Sequence, residues 1–165
     1  MKTPHILYAA SNLNKLKANL AGVVDPTAIN AIDNEIKKNV VQLFKLGRKH
    51  YQFATRQNNR EWRQKISRLY YGVYNVSKGI RLCVHGIFST ESSDHKHIGD
   101  LPDNFPNKAM YQNKLNSLRD DRNLCDYDHT ASLTDLSSTV AEWTILAKDF
   151  FGDAQAYLGT QGVTI

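Results

Sequence analysis

The chain has 165 residues, a net charge of +5 and a pI near 9.2. That length allows one domain with a real core, not two, and the balance of 22% charged to 41% apolar residues excludes a disordered chain. No apolar run approaches the roughly 20 residues that span a bilayer, and the N-terminus lacks a signal-peptide pattern, so we expect a cytoplasmic protein with no membrane attachment. The modest basic excess favours an anionic partner. Cys83 and Cys125 stand far apart in no C-x-x-C pair, and both read as small buried hydrophobes.

Helical periodicity dominates and no strand alternation is evident. Thr3-Pro4 predicts a helix start, with Ile6, Leu7, Ala10, Leu13, Leu16 and Leu20 at helical spacing and Gly22 as the end. Asp25-Pro26 predicts the next start, and its apolar series runs from Ile29 to Phe53. Gly47 is expected to bend or interrupt this long helix. Its later part is basic, with Lys45, Arg48, Lys49, His50 and Arg56 read as a solvated face. Asn58 and Asn59 mark a turn.

A third helix is expected from about Glu61 to Gly86, with Tyr70, Tyr71 and Tyr74 read as core or subunit interface. Residues 88–106 form the main break, rich in Ser, Gly, Pro, Asp and Asn. A loop this long is expected to be functional or mobile. His95-Lys96-His97 lies at its centre. A lone H-x-H is too little for a metal site, so we expect a loop reaching over a phosphate, with no metal and no cofactor.

Asn107 is expected to cap the fourth helix, with Met110, Leu115, Leu118 and Leu124 on its buried side. Ser132 or Thr134 is expected to cap the fifth, whose core face is Leu136, Val140, Trp143, Leu146, Ala147, Phe150 and Tyr157. Residues 159–165 read as a frayed tail. The expectation is an all-α, single-domain bundle of about five helices spanning residues 1–165. No glycine-rich phosphate loop is present, which argues against a Rossmann or P-loop enzyme.

The densest cluster of reactive side chains is LRDDRNLCDYDH, residues 118–129. Arg119, Arg122, Asp126 and His129 step by three, four and three, so a continuing helix would put all four on one face. Arg122 and His129 would then stand about 10 Å apart along the axis. Arginine suits a phosphate because its planar donors match two oxygens and its charge is permanent. Histidine suits proton transfer because its ordinary pKa is about 6.5.

Two stretches together resemble the HEPN domains. Ser67-Arg68-Leu69-Tyr70-Tyr71-Gly72-Val73-Tyr74-Asn75 is similar to their S-R-x-Y-Y-x-x-F/Y-H/N signature. Leu118-Arg119-Asp120-Asp121-Arg122-Asn123-Leu124-Cys125-Asp126-Tyr127-Asp128 resembles their L-R-x-x-R-x-x-A-D-Y-D motif. The resemblance covers a core of about residues 61–158, and helices in residues 4–58 match only generically.

It implies a helical bundle that forms a homodimer. Many such proteins are metal-independent endoribonucleases acting in toxin–antitoxin or defence settings through R-x(4–6)-H. Others are non-catalytic subunits that bind a nucleotide or nucleic acid and partner a minimal nucleotidyltransferase. Arg122 and His129 fit the six-residue spacing as catalytic residues, although the commoner spacing would put histidine where Tyr127 stands. Asn123, Asp126, Tyr127 and Arg119 are the supporting residues, and Arg68, His95, Lys96 and His97 are assigned to the RNA substrate. A two-fold dimer would supply two arginines and two histidines to one groove.

Overall fold

Apolar residues at intervals of three and four fold this chain into α-helices wherever a capping residue starts them. The computed structural model describes residues 5–165, so the helix start read at Thr3-Pro4 lies outside the described residues. The elements are α1 (Leu13–Leu20), α2 (Pro26–Arg56), α3 (Trp62–His85), α4 (Lys108–Tyr127) and α5 (Val140–Thr160). Short 3-10 turns lie at His5–Tyr8, Asn59–Glu61, Ser92–His97 and Leu133–Asp135. The fold is an all-α bundle. Among the described residues no helix is long and apolar enough to cross a membrane.

The bundle is built around α3, which packs on α2, α4 and α5. Every residue from position 72 to position 82 is buried, as expected of a helix covered on all sides. Leu69, Val73, Val76 and Ile80 fill its interior faces, with Val40 and Phe44 from α2, Leu115 and Leu118 from α4, and Trp143 and Phe150 from α5. Gly86 ends α3 in the left-handed conformation (φ 66°), where a Cβ is disfavoured.

Gly47 does not interrupt α2, which runs unbroken for 31 residues. It lies instead where α2 and α3 cross backbone to backbone. A Cβ there would sit 2.6 Å from the carbonyl oxygen of Gly72. The glycine serves the crossing, and periodicity within one helix cannot reveal that.

Other boundaries differ from expectation for local reasons. The first apolar series is divided: a 3-10 turn precedes α1, and Asn12 caps α1 by accepting from the Lys15 amide at 3.0 Å. Asn107 takes a left-handed conformation (φ 52°) and makes no side-chain cap. Neither Ser132 nor Thr134 caps α5. Ser132 caps the short turn Leu133–Asp135, and Thr139 caps α5 through a reciprocal box with Glu142. Met110 is exposed, and the buried side of α4 is Tyr111, Leu115, Leu118, Asp121 and Cys125. The tail does not fray at once: Val163 is buried and its amide bonds back to the Leu158 carbonyl at 3.0 Å.

The long connection from α3 to α4 is packed rather than loose. Asp94, Ile98, Leu101 and Phe105 are buried. The Ser77 hydroxyl donates to the Ile98 carbonyl at 2.7 Å. Arg81 holds Asp94 through two hydrogen bonds, at 3.0 and 2.8 Å, and Tyr74 donates a third at 2.7 Å. Desolvation alone would raise the Asp94 pKa, but the bonds from Arg81 and Tyr74 more than offset it, and the carboxyl lies below its ordinary value.

Candidate functional site

The two sequence motifs meet where α3 crosses α4. Tyr70 and Tyr71 are adjacent on α3 and Tyr74 lies one turn on; Tyr70 and Tyr71 face Arg122 of α4, and all three rings meet His95 of the Ser92–His97 turn. Arg122 Nη2 donates to the Tyr71 hydroxyl at 2.5 Å. Its guanidinium lies 5.5 Å from the Tyr70 ring centre, 5.2 Å from that of Tyr71 and 5.2 Å from that of Tyr127. Three rings thus fix one cation, each contributing cation–π attraction.

Asp126 stands one turn later on α4, with a carboxylate oxygen 2.8 Å from Arg122 Nε. That oxygen is out of line with the N–H, and the buried Nε has no hydrogen-bond partner. The contact is an ion pair whose Nε–H is buried without an aligned acceptor. Burial disfavours the Arg122 charge, but Asp126, Tyr71 and Tyr127 more than offset it, so its pKa is raised and the cation is permanent.

The imidazole beside this cation is His95. Its Nδ1 is 2.6 Å from the Tyr70 hydroxyl, its ring stacks on Tyr74 at 4.4 Å, and it meets Tyr71 edge-on. His95 and Arg122 therefore share Tyr70 and Tyr71 as walls. Desolvation first, and then the Arg122 charge, lower the His95 pKa, so the ring is neutral at pH 7. Its neighbour Asp94, clamped by Arg81, sets its position.

His129 is not on the stripe. α4 stops at Tyr127, Asp128 turns extended (φ −100°, ψ 104°), and His129 lies exposed in the following turn. Two features stop the helix. Asp128 Oδ1 accepts from the Thr130 amide and hydroxyl at 2.8 and 2.7 Å, closing a local turn. Arg63 of α3 reaches the α4 terminus and donates to the carbonyls of Cys125, Asp128 and Ala131 at 3.0, 2.7 and 2.6 Å. A cation there satisfies orphan carbonyls and the negative helix end together.

The remaining predicted residues divide. Asn123 accepts from Arg122 Nη1 at 3.1 Å, and Tyr127, 74% exposed, covers the cation from the solvent side. Arg119 is occupied on the α4 surface by Asp120 and Asn116. Arg68 faces α2, against His50 and Phe53. His97 turns to Asp100 at 2.6 Å, and Lys96 is exposed. Only His95 of that trio joins the tyrosines.

Pattern reasoning missed Arg63 and the Arg81–Asp94 clamp, since neither carries a local signal. It also missed Asp121, which is buried and accepts from the Ser137 amide at 2.9 Å and from Trp143 Nε1 at 2.7 Å. Asp121 belongs to the motif yet anchors the α4–α5 connection. Cys125 is buried, and burial pushes its thiol up to about 12, which leaves it unreactive. Among the described residues no group of three or more His, Cys, Asp and Glu is placed to hold a metal ion. Compared with known protein families, curated proteins and solved structures, the chain matches none.

Proposed function

We propose that this chain is an HEPN-like endoribonuclease that cuts RNA without a metal, using Arg122 as the phosphate clamp in a dimeric composite site. The observation that carries the proposal is the setting of Arg122. A permanent cation is fixed by three tyrosines, with a buried Nε donor that has no aligned acceptor and a neutral imidazole beside it.

The chemistry follows from those groups. With Nδ1–H donating to the Tyr70 oxygen, His95 Nε2 presents a lone pair and takes the proton of a ribose 2′-hydroxyl. The 2′-oxygen attacks phosphorus while Arg122 neutralises the charge gathering on the phosphoryl oxygens. The P–O5′ bond breaks, and O5′ takes a proton from a water in the groove between the two copies, which regains it from the His95 imidazolium. The products end in a 2′,3′-cyclic phosphate and a 5′-hydroxyl. In this scheme His95 fills the role that spacing assigned to His129. The resemblance extends the proposal to a cytoplasmic toxin or defence protein, held in check by a nucleotidyltransferase partner.

A second reading is a non-catalytic subunit that binds a nucleotide. The Asp126 carboxylate beside Nε favours it, because it already balances the Arg122 charge.

Labelled RNA incubated with the protein in chelator separates the two. Cleavage to cyclic-phosphate ends, lost with a 2′-deoxy linkage and in His95→Ala but kept in His129→Ala, is the expected result. Loss in His129→Ala with His95→Ala active would return the role to His129. Intact RNA throughout, with nucleotide still bound, would leave the second reading.

A further inference from the structure

The Arg122 site continues onto α2 as a strip in which cations and aromatic rings alternate. Arg122 bonds Tyr71, and the Tyr71 ring lies 5.8 Å from that of His50. His50 Nδ1 is 3.3 Å from Arg68 Nη1, and the Arg68 guanidinium lies 5.2 Å from the Phe53 ring centre. His50 is neutral, its pKa lowered by desolvation and then by Arg68.

Phe53 is 47% exposed, unusual for a large apolar side chain in a helix with a well-packed inner face. The Arg68 guanidinium packs over the ring, and nearly half of the side chain remains exposed to solvent. Lys49 and Arg56, also exposed, flank it at helical spacing. The charge is segregated to match. Of the 16 acidic residues only Glu61 falls within residues 36–90, which hold 12 of the 21 lysines and arginines.

We propose that this strip is the track of a single-stranded RNA, running from the scissile phosphate at Arg122 to a base stacked on Phe53. The proposal rests on the RNA reading of Arg122 and adds the class of substrate. Exposed aromatic faces hold unpaired bases by stacking, and interleaved cations follow the phosphates. A duplex keeps its base faces inside its own stack and cannot use Phe53. Neutral His50 and the Tyr71 hydroxyl suit ribose and base edges between the two ends.

Fluorescence anisotropy with a labelled 2′-O-methyl oligouridylate, which cannot be cut, reads the track directly. A strand of roughly a dozen nucleotides is within the span of single-strand grooves. Phe53→Leu keeps an apolar side chain without a π face and should weaken binding about tenfold. Arg68→Gln should weaken it similarly and lower the salt slope by about one. A perfect duplex should bind more than tenfold more weakly, while Ile145→Ala, exposed on α5 and off the strip, should bind as wild type.

Wild-type affinity in Phe53→Leu, or a duplex bound as tightly as the single strand, overturns the track. If Arg122→Ala still weakens the strand in that case, the RNA reading survives. No single-strand binding by the wild type, or equal binding by all variants, overturns both. Should Arg68→Gln melt early, Phe53→Leu decides alone.

Discussion

Arg81 and Arg122 each lie beside an aspartate and each has a buried Nε without an aligned acceptor, but their surroundings differ. The Arg81 and Asp94 side chains are only 6% and 2% exposed, joined by two hydrogen bonds, with Tyr74 as a third partner. Those of Arg122 and Asp126 are 11% and 26% exposed, joined by one off-line contact, and tyrosines provide the rest. The first pair is closed on itself and positions a loop. The second is rimmed by aromatic rings, of which Tyr127 is 74% exposed, and keeps its Nε buried without an aligned acceptor. Burial and bond count, rather than residue type, separate the two arginines, and the proposed phosphate role falls to the less enclosed one.

Breaking the closed pair should cost most. Arg81→Met removes both charged hydrogen bonds from buried Asp94, leaving Tyr74 and the more distant Lys78 at 4.0 Å, and should lower stability by about 3 kcal/mol in urea unfolding. Loss of less than 1 kcal/mol would mean the pair is not the clamp described. The pH dependence has a definite sign. The folded Asp94 pKa lies below the ordinary value, so its contribution is complete above about pH 4 and fades as pH falls through the folded value. Arg81→Met should flatten that acid limb.

Changes at the open site should fall on activity instead. His95→Ala should lower RNA cleavage by about 10²- to 10⁴-fold, the range of a single acid–base group. Because its folded pKa is lowered, the wild-type kcat/KM should hold down to about pH 6.5 and decline below it. A decline beginning above pH 7 would point to another base. The same shift makes folding slightly less favourable below about pH 6.5, where the unfolded chain binds the proton more readily.

Arg63→Met removes the donor that gathers the α4 carbonyls and should cost about 1.5–3 kcal/mol. Hydrogen exchange should accelerate at residues 124–127, and an unchanged rate there would assign the helix stop to the Asp128 turn alone. The smallest effect is expected at Asp126→Asn, whose partly exposed pair should contribute under about 1 kcal/mol to stability. Tighter RNA binding in that variant would sharpen the contrast between the two arginines, and a loss above 3 kcal/mol would erase it.

The helices were legible in the sequence because their signals are local: apolar spacing, Asp25-Pro26, and Gly86 after an apolar run. The two motifs mark α3 and α4, but the contact of Tyr70 and Tyr71 with Arg122 joins different helices, and no spacing within either motif gives it. Two local signals were available and overlooked. Thr139 three residues before Glu142 is a capping box, and Asp128 two before Thr130 is a turn that halts α4 before His129. The rest was not local. His95 reaches Arg122 because Asp94 is clamped by Arg81 across the fold, and Gly47 answers to Gly72 on another helix. Contacts of that kind leave no periodicity.

The central claim, that Arg122 clamps the scissile phosphate, is tested most directly by single-turnover cleavage of one RNA in chelator by wild type and Arg122→Ala, with melting temperatures matched. Loss of about 10²- to 10³-fold in rate in the variant, with the fold intact, is the result predicted for removing such a donor. Equal rates for the two proteins would contradict the claim and leave the tyrosine-bound arginine a structural feature of α3 and α4.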